Sequence, residues 1–318
     1  MCKVIGIDIS KASFDVSFRE KDGHFYHKKF NNDLLGFKAF NRHVSCEDVC
    51  VMEASGPYYL KLAYYLYEQE LKVAVVNPLQ IKHFVRMRMI KAKTDKKDAQ
   101  MIAFYGESEQ PGLWTPDHSH ISQLQQIHTA IEGLHKQASM LTNQLEAFLQ
   151  VPHYDCDLIK VLRGLLRSIK NKTSKLEARM EDIALKHYND TFVALNSIPG
   201  IGPKTAIMLI ALTNNFTKFD SSKKLSAYVG LAPRIFESGT SVKGKGHITK
   251  MGNRHMRKLL YMCAWTAKRN NPQCKQMYDR LKKNGKPEKL IKVAIANKLL
   301  RQAYGVGTTQ LHYQPNYC

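Results

Sequence analysis

No apolar run in this 318-residue sequence approaches the roughly 18 consecutive residues that a membrane-spanning helix needs, and Met1 to Ile9 carries none of the regions of a signal peptide. A membrane partner is therefore not expected, and the chain is expected to stay in the cytoplasm. Disulfide chemistry is excluded in a similar way. The seven cysteines (Cys2, Cys46, Cys50, Cys156, Cys263, Cys274 and Cys318) are odd in number, scattered and without a Cys-x-x-Cys pair, so they support neither a disulfide framework nor a zinc site and read as reduced thiols, mostly packing residues. There is no Gly-x-x-x-x-Gly-Lys-Ser/Thr stretch, and so no sign of a nucleoside triphosphate site. Acids are scarce as well. Only 27 Asp and Glu stand against 48 Lys and Arg, and a formal charge of +21 points to a polyanionic partner, of which nucleic acid is the obvious one.

What is present divides into three stretches. The first alternates strands and helices. Lys3 to Ile9, Ser13 to Arg19 and Phe25 to Phe30 read as three strands, the last two joined by the turn Lys21-Asp22-Gly23, and Asp33 caps a helix reaching about His43. Val49 to Glu53 reads as a further strand, Pro57 to Gln69 as a helix, Val73 to Val76 as a strand closed by Asn77-Pro78, and Asp95 to Tyr105 as a helix. A three-strand meander followed by helix and strand units implies a mixed sheet flanked by helices, an α/β domain of the ribonuclease H type over residues 1–112.

Residues 113–190 carry a different period. Ile127, Ile131, Leu134, Ala138, Leu141, Leu145 and Phe148 alternate spacings of four and three, the heptad seam of a coiled-coil helix. After Val151-Pro152 the period resumes with Leu162, Leu166, Ile169, Thr173, Leu176, Met180 and Ile183. A second helix that folds back on the first and an arm that pairs subunits both fit this pattern.

Residues 191–318 read as a mostly α-helical, basic domain. Ile198-Pro199-Gly200-Ile201-Gly202-Pro203-Lys204 places a glycine turn before a helix start at Pro203, where outward N–H groups can hold a phosphate. It is similar to the second half of a helix-hairpin-helix, although an ordinary helix connection has the same look. Nine Lys or Arg (Lys223, Lys224, Arg234, Lys243, Lys245, Lys250, Arg254, Arg257 and Lys258) then face one acid, Glu237, which is the composition of a phosphate-tracking surface.

Two groups of residues can carry chemistry. Asp8 and Glu53 end strands, and Asp95 and Asp98 lie three apart in the first turn of a helix, on one face. Singly, each acid has a structural explanation as a turn, edge or helix N-terminal residue. Together, convergent carboxylates repel one another unless a hard cation such as Mg²⁺ compensates. The second group is Glu237-Ser238-Gly239-Thr240-Ser241, expected in a loop between a helix ending near Pro233 and one beginning near Asn253. Serine attacks phosphorus only when it is deprotonated and the developing charge is stabilised, and Lys243, Lys245, Arg254 and Arg257 can supply that stabilisation. By composition alone the segment is simply a loop.

The series Asp8, Glu53, Asp95, Asp98, the Lys93-Thr94-Asp95-Lys96-Lys97-Asp98-Ala99 stretch, the Ile-Pro-Gly-Ile-Gly turn and the run from Gly230-Leu231-Ala232-Pro233 through Ser238-Gly239 to Gly252-Asn253-Arg254 together resemble the DEDD-type transposases, the family of Piv-related invertases and of insertion-sequence family one-hundred-and-ten. The resemblance covers nearly the whole chain in order. It implies a RuvC-like N-terminal domain whose acids, here Asp8, Glu53, Asp95 and Asp98, bind Mg²⁺, with Mn²⁺ as a substitute. It also implies a C-terminal transposase domain with a serine nucleophile, here Ser238. The Glu-Ser-Gly-Thr-Ser spelling departs from the family's Ser-Gly-Gly form, which leaves Ser241 as the alternative. The resemblance further implies a prokaryotic, nucleoid-associated recombinase acting on target and donor double-stranded DNA under a structured guide, or bridge, RNA, with dimers pairing into tetramers. A Holliday-junction-type endonuclease would need the four acids but no serine.

Overall fold

Alternation of side chains builds a two-faced sheet from the first hundred residues. In the computed structural model, which describes the chain apart from residues 1–2, 21–22, 90–93, 235–236, 239–241, 244–246, 250 and 316–318, the strands β1 (Val4–Ile9), β2 (Ser13–Arg19) and β3 (Phe25–Asn31) form an antiparallel meander. The strands β4 (Val49–Glu53) and β5 (Lys72–Val76) continue the sheet in parallel on the other side of β1, giving the order β3-β2-β1-β4-β5. This is the mixed sheet that the order of elements implies. Ile5, Ile7, Phe14, Val16, Phe18, Phe30 and Met52 fill one face beneath helices α1 (Leu34–Asn41) and α2 (Leu60–Glu68). Val51, Ala74 and Val76 fill the other beneath α3 (Pro78–Met87) and α4 (Asp95–Glu109).

Local chemistry sets these helix starts. The Asp33 carboxylate accepts from the Gly36 N–H at 2.8 Å, Thr94 Oγ1 accepts from the Lys97 N–H at 3.3 Å, and Asn77 caps α3 with Pro78 as its first residue. Two differences from the expectation follow. Asn77-Pro78 ends a strand and also starts a helix, so α3 went unread. The helix expected at Pro57 begins at Leu60, because Gly56 adopts φ +85° and the chain makes a turn before the helix.

This sheet and its helices form one compact unit, Met1–Pro116; Asp117–Cys318 forms a second. The second opens with α5 (Ser119–Leu149) and α6 (Cys156–Asn196), which pack on each other as a helical hairpin. Seam positions Ile127, Ile131, Leu162, Thr173 and Met180 are buried, and Leu134, Leu141, Leu166 and Leu176 are half-buried. Tyr188 leaves helical geometry (φ −139°, ψ 31°) and kinks α6. At its base the hairpin is rooted in a large core with α7 (Pro203–Thr213), α8 (Ser222–Val229), α9 (Arg254–Asn270), α10 (Pro272–Lys283) and α11 (Glu288–Thr309); Leu124, Leu195, Ile198, Leu209, Leu260, Ile295 and Leu299 are among its fully buried residues. Among the described residues no helix is long and apolar enough to cross a membrane.

Candidate active site

Glycine determines how the four acids are arranged. A Cβ at Gly6 of β1 would lie 2.1 Å from the Ala99 carbonyl oxygen and 2.3 Å from the Ala103 nitrogen, and one at Gly106 would lie 2.5 Å from a Val4 methyl. Helix α4 therefore lies directly on β1, its C-terminal half over Val4 and its middle over Gly6, which brings its first turn to the C-terminal end of the strand. Asp8 occupies that end, on the same face as Gly6. Parallel pairing of Ile7 with Met52 sets Glu53 beside it at the end of β4, on the face shared with Val51. Asp95 and Asp98 stand in the first turn of α4. Asp8, Glu53 and Asp98 are half-buried and Asp95 is exposed.

Their mutual repulsion is visible in Asp8. Burial, followed by the negative charges of Asp98, Asp95, Glu53 and Asp15, raises its carboxyl from the ordinary 3.8 to about 6. Asp15 is a fifth carboxylate that sequence reasoning passed over. It lies directly across from Asp8 in the β1–β2 pair and is buried. Unlike Asp8 it has partners of its own, His27 Nε2 at 2.9 Å and Lys29 Nζ at 3.3 Å. The signal that could have found it was the Ser10 to Ser13 turn, which dictates that Asp8 pairs with Asp15. Glu53 Oε1 accepts a hydrogen bond from the Ser55 hydroxyl.

In the second unit, Ser238 falls on a short hairpin and not in a plain loop. The two-residue strands β6 (Pro233–Arg234) and β9 (His247–Ile248) pair with each other, and within them β7 (Glu237–Ser238) pairs with β8 (Val242–Lys243). Ser238 pairs with Val242 on the inner rung, and residues 239–241 between them lie outside the described residues. The base of the hairpin is pinned. Gly230 (φ +80°) and Gly252 (φ +114°) are so close to opposite backbone that a Cβ on either would lie 2.1 Å from a carbonyl oxygen, of Met251 and Tyr228 respectively. Arg257 Nη1 donates to the Val229 carbonyl at 2.8 Å, so it holds this base together, while Arg254, the first residue of α9, is exposed. Ser241 and Lys245 lie outside the described residues, and Lys243 sits on β8.

The glycine turn serves packing as well as any ligand. Gly200 (φ +110°) lies against Ala267 of α9, where a Cβ would approach to 2.7 Å, whereas one at Gly202 would meet open space. Lys204 is engaged with Glu177 of α6 at 2.7 Å. A basic surface not anticipated from sequence lies on α6. From Lys160 through Arg163, Arg167, Lys170, Lys172 and Lys175 it carries six cations and no acid, all exposed, and Arg167, Asn171, Lys172 and Lys175 line a shallow depression.

Comparison with known proteins shows the family. Residues 193–279 match the transposase family IS116/IS110/IS902, and residues 5–153 match the DEDD transposase family of IS110. The pilin gene-inverting protein of Moraxella lacunata is 30% identical over 310 residues, covering 95% of this chain and 94% of that protein. This chain belongs to the IS110 family of transposases. The transposase is also 26% identical to that of insertion sequence element IS1328 of Yersinia enterocolitica, over 96% of each chain. Among solved structures, that of Thermus thermophilus RuvC is 13% identical, with a TM-score of 0.26, and covers 35% of the transposase and 99% of that chain.

Proposed function

We propose that this transposase cuts and rejoins double-stranded DNA using Asp8, Glu53, Asp95 and Asp98 to hold Mg²⁺, for which Mn²⁺ can substitute, and Ser238 as the nucleophile. The observation that carries the reading is the state of Asp8. Burial and then the charges of Asp98, Asp95, Glu53 and Asp15 raise its proton affinity, and the four acids assigned to the metal offer only oxygen, so the charge imbalance is one that a hard cation relieves. When bound, such an ion stabilises charge developing on phosphoryl oxygens and on the leaving oxygen. The chain's own residues do the remaining work. Gly6 and Gly106 hold α4 against the sheet so that the acids keep their spacing, and Asp15, already paired with His27 and Lys29, adds negative charge beside Asp8 without joining the ligand set.

On this reading the Ser238 hydroxyl attacks the phosphate, and a phosphoserine bond keeps the energy of the broken phosphodiester, so rejoining needs no nucleotide cofactor. The pinned hairpin base and the cations Lys243 and Arg254 position and neutralise the phosphate. The α6 surface and the +21 charge suit an additional polyanion, which we assign to a guide RNA. Exposed Met140, Val161 and Leu165 on the α5–α6 hairpin suit coiled-coil contacts between subunits, in dimers pairing into tetramers.

The test incubates the protein with target and donor duplexes and with RNA transcribed from the flanks of its gene. Wild type is expected to give recombinant junctions and a covalent protein–DNA adduct, Asp8→Asn neither, and Ser238→Ala no adduct with DNA binding retained. Adduct formation by Ser238→Ala would refute the serine assignment. Undiminished recombination without RNA would refute the guide.

A further inference from the structure

Within the second unit, two helices bring together three side chains whose chemistry the proposed reaction leaves unused. His128 and Glu132 are one turn apart on α5, hence on one face, and His255 projects from the first turn of α9. One ligand atom of each lies within 4.8 Å of those of the other two, and all three residues are half-buried. The imidazole rings of His128 and His255 are 4.4 Å apart between centroids. His255 Nδ1 lies 3.2 Å from Glu132 Oε2, and His135, a turn further along α5, faces the other carboxylate oxygen at 3.7 Å.

We propose that His128, Glu132 and His255 form a binding site for one Zn²⁺ ion, a clasp that fixes the start of α9 to α5. Two imidazoles and one carboxylate are a donor set that zinc takes, and the remaining tetrahedral position is left to solvent. Zinc–ligand bonds of about 2.0–2.2 Å require donor atoms roughly 3.4 Å apart. The His255 Nδ1–Glu132 Oε2 pair is already at 3.2 Å, and all three donors lie within 4.8 Å of one another.

A simple ion pair explains less. It accounts for His255 and Glu132 but not for the placing of His128, whose ring makes no hydrogen bond among the described residues and packs against a second imidazole. Partial burial and the proximity of His255 lower the proton affinity of His128, in keeping with the neutral ring that a metal needs. The site contains no cysteine, which is why the distribution of cysteines gave no hint of it. Its consequence is positional. His255 lies between Arg254 and Arg257, just beyond the Gly230–Gly252 base of the Ser238 hairpin, so an ion here orders the exit of that hairpin.

The experiment uses full-length, untagged protein stripped with a chelator, re-equilibrated with Zn²⁺, dialysed and analysed for metal. Visible absorption of the Co²⁺-substituted protein reports the nitrogen ligands. Wild type should retain about one zinc per chain, and so should an Asp8→Asn/Asp95→Asn double variant, because the site is independent of the carboxylates. His128→Ala and His255→Ala should each weaken zinc binding at least ~100-fold, beyond the loss typical of residues that only orient a metal ligand, with the Co²⁺ spectrum lost. Glu132→Gln, nearly the same shape, is read alongside in case a truncated imidazole unsettles the helix face, and should show the same loss. Zinc retained by all three variants with wild-type affinity would overturn the proposal, and so would zinc that disappears only in the Asp8→Asn/Asp95→Asn protein.

Discussion

Removing one charge from the carboxylate site should stabilise the metal-free transposase while abolishing its response to metal. Asp8 is raised from 3.8 to about 6. At 1.36 kcal/mol per pKa unit this corresponds to about 3 kcal/mol between protonation states, and because Asp8 is only partly covered, solvent screening reduces the usable part to about 1–2 kcal/mol. The sign follows from proton counting. Between pH 3.8 and about 6 the folded state binds more protons at Asp8 than the unfolded state, so stability falls as pH rises through that window; the penalty is absent below it and complete above it. Asp8→Asn should therefore melt with the wild type near pH 4 and about 3–8 °C above it at pH 7 in EDTA. Each compact unit contains one of the two tryptophans, Trp114 and Trp265. In a Trp265→Phe background, Trp114 fluorescence then follows the unit that holds Asp8. Saturating Mg²⁺ at about a hundredfold over Kd should add roughly 2.7 kcal/mol to wild type and little to Asp8→Asn. An Asp8→Asn protein no more stable than wild type at pH 7 in EDTA, or one stabilised by Mg²⁺ as strongly as wild type, would refute the reasoning.

Further outcomes follow from the same geometry. Gly6→Ala should cost about 3 kcal/mol or more, since its Cβ meets α4 backbone, and should abolish strand cleavage in a gel assay even where the protein remains folded. Gly230→Ala combines a positive φ with a 2.1 Å approach to the Met251 carbonyl; it should eliminate covalent adducts in a denaturing gel and leave the Mg²⁺ thermal shift of the Trp114 unit unchanged. Replacing Arg163, Arg167, Lys170 and Lys172 with glutamine should reduce the slope of log K against log salt for nucleic-acid binding by about 0.7–0.9 for each phosphate that is no longer neutralised. An unchanged slope would remove α6 from the binding surface.

Particular residues show why some of this was legible in sequence and some was not. The acids at Asp8, Glu53, Asp95 and Asp98 were legible because each marks the end of an element, and strand ends and helix starts are what periodicity and capping reveal most readily. Asp15 was not, because β2 is buried on both faces, so alternation could not show that one of its residues looks toward the acids; only the pairing register does. The hairpin around Ser238 read as loop because its rungs are two residues long, too short for a period. The two long helices α5 and α6 were plain in the spacing of their apolar residues, but that they pack on each other as a hairpin is a tertiary fact, since the same spacing also fits an intermolecular coil. His128, Glu132 and His255 span 127 positions of chain, and only the packing of α5 beside α9 brings them together.

The α5–α6 hairpin has a consequence of a different kind. Its roots are embedded in the helical core, while the described residues from Leu134 to Leu176 pack chiefly against one another, so within the second unit its length is nearly independent of that core. A heptad added to each helix would lengthen it by about 10 Å at 1.5 Å per residue and preserve the seam, the core at the base and the acids. Descent can then vary the reach of this arm independently of the residues proposed for chemistry.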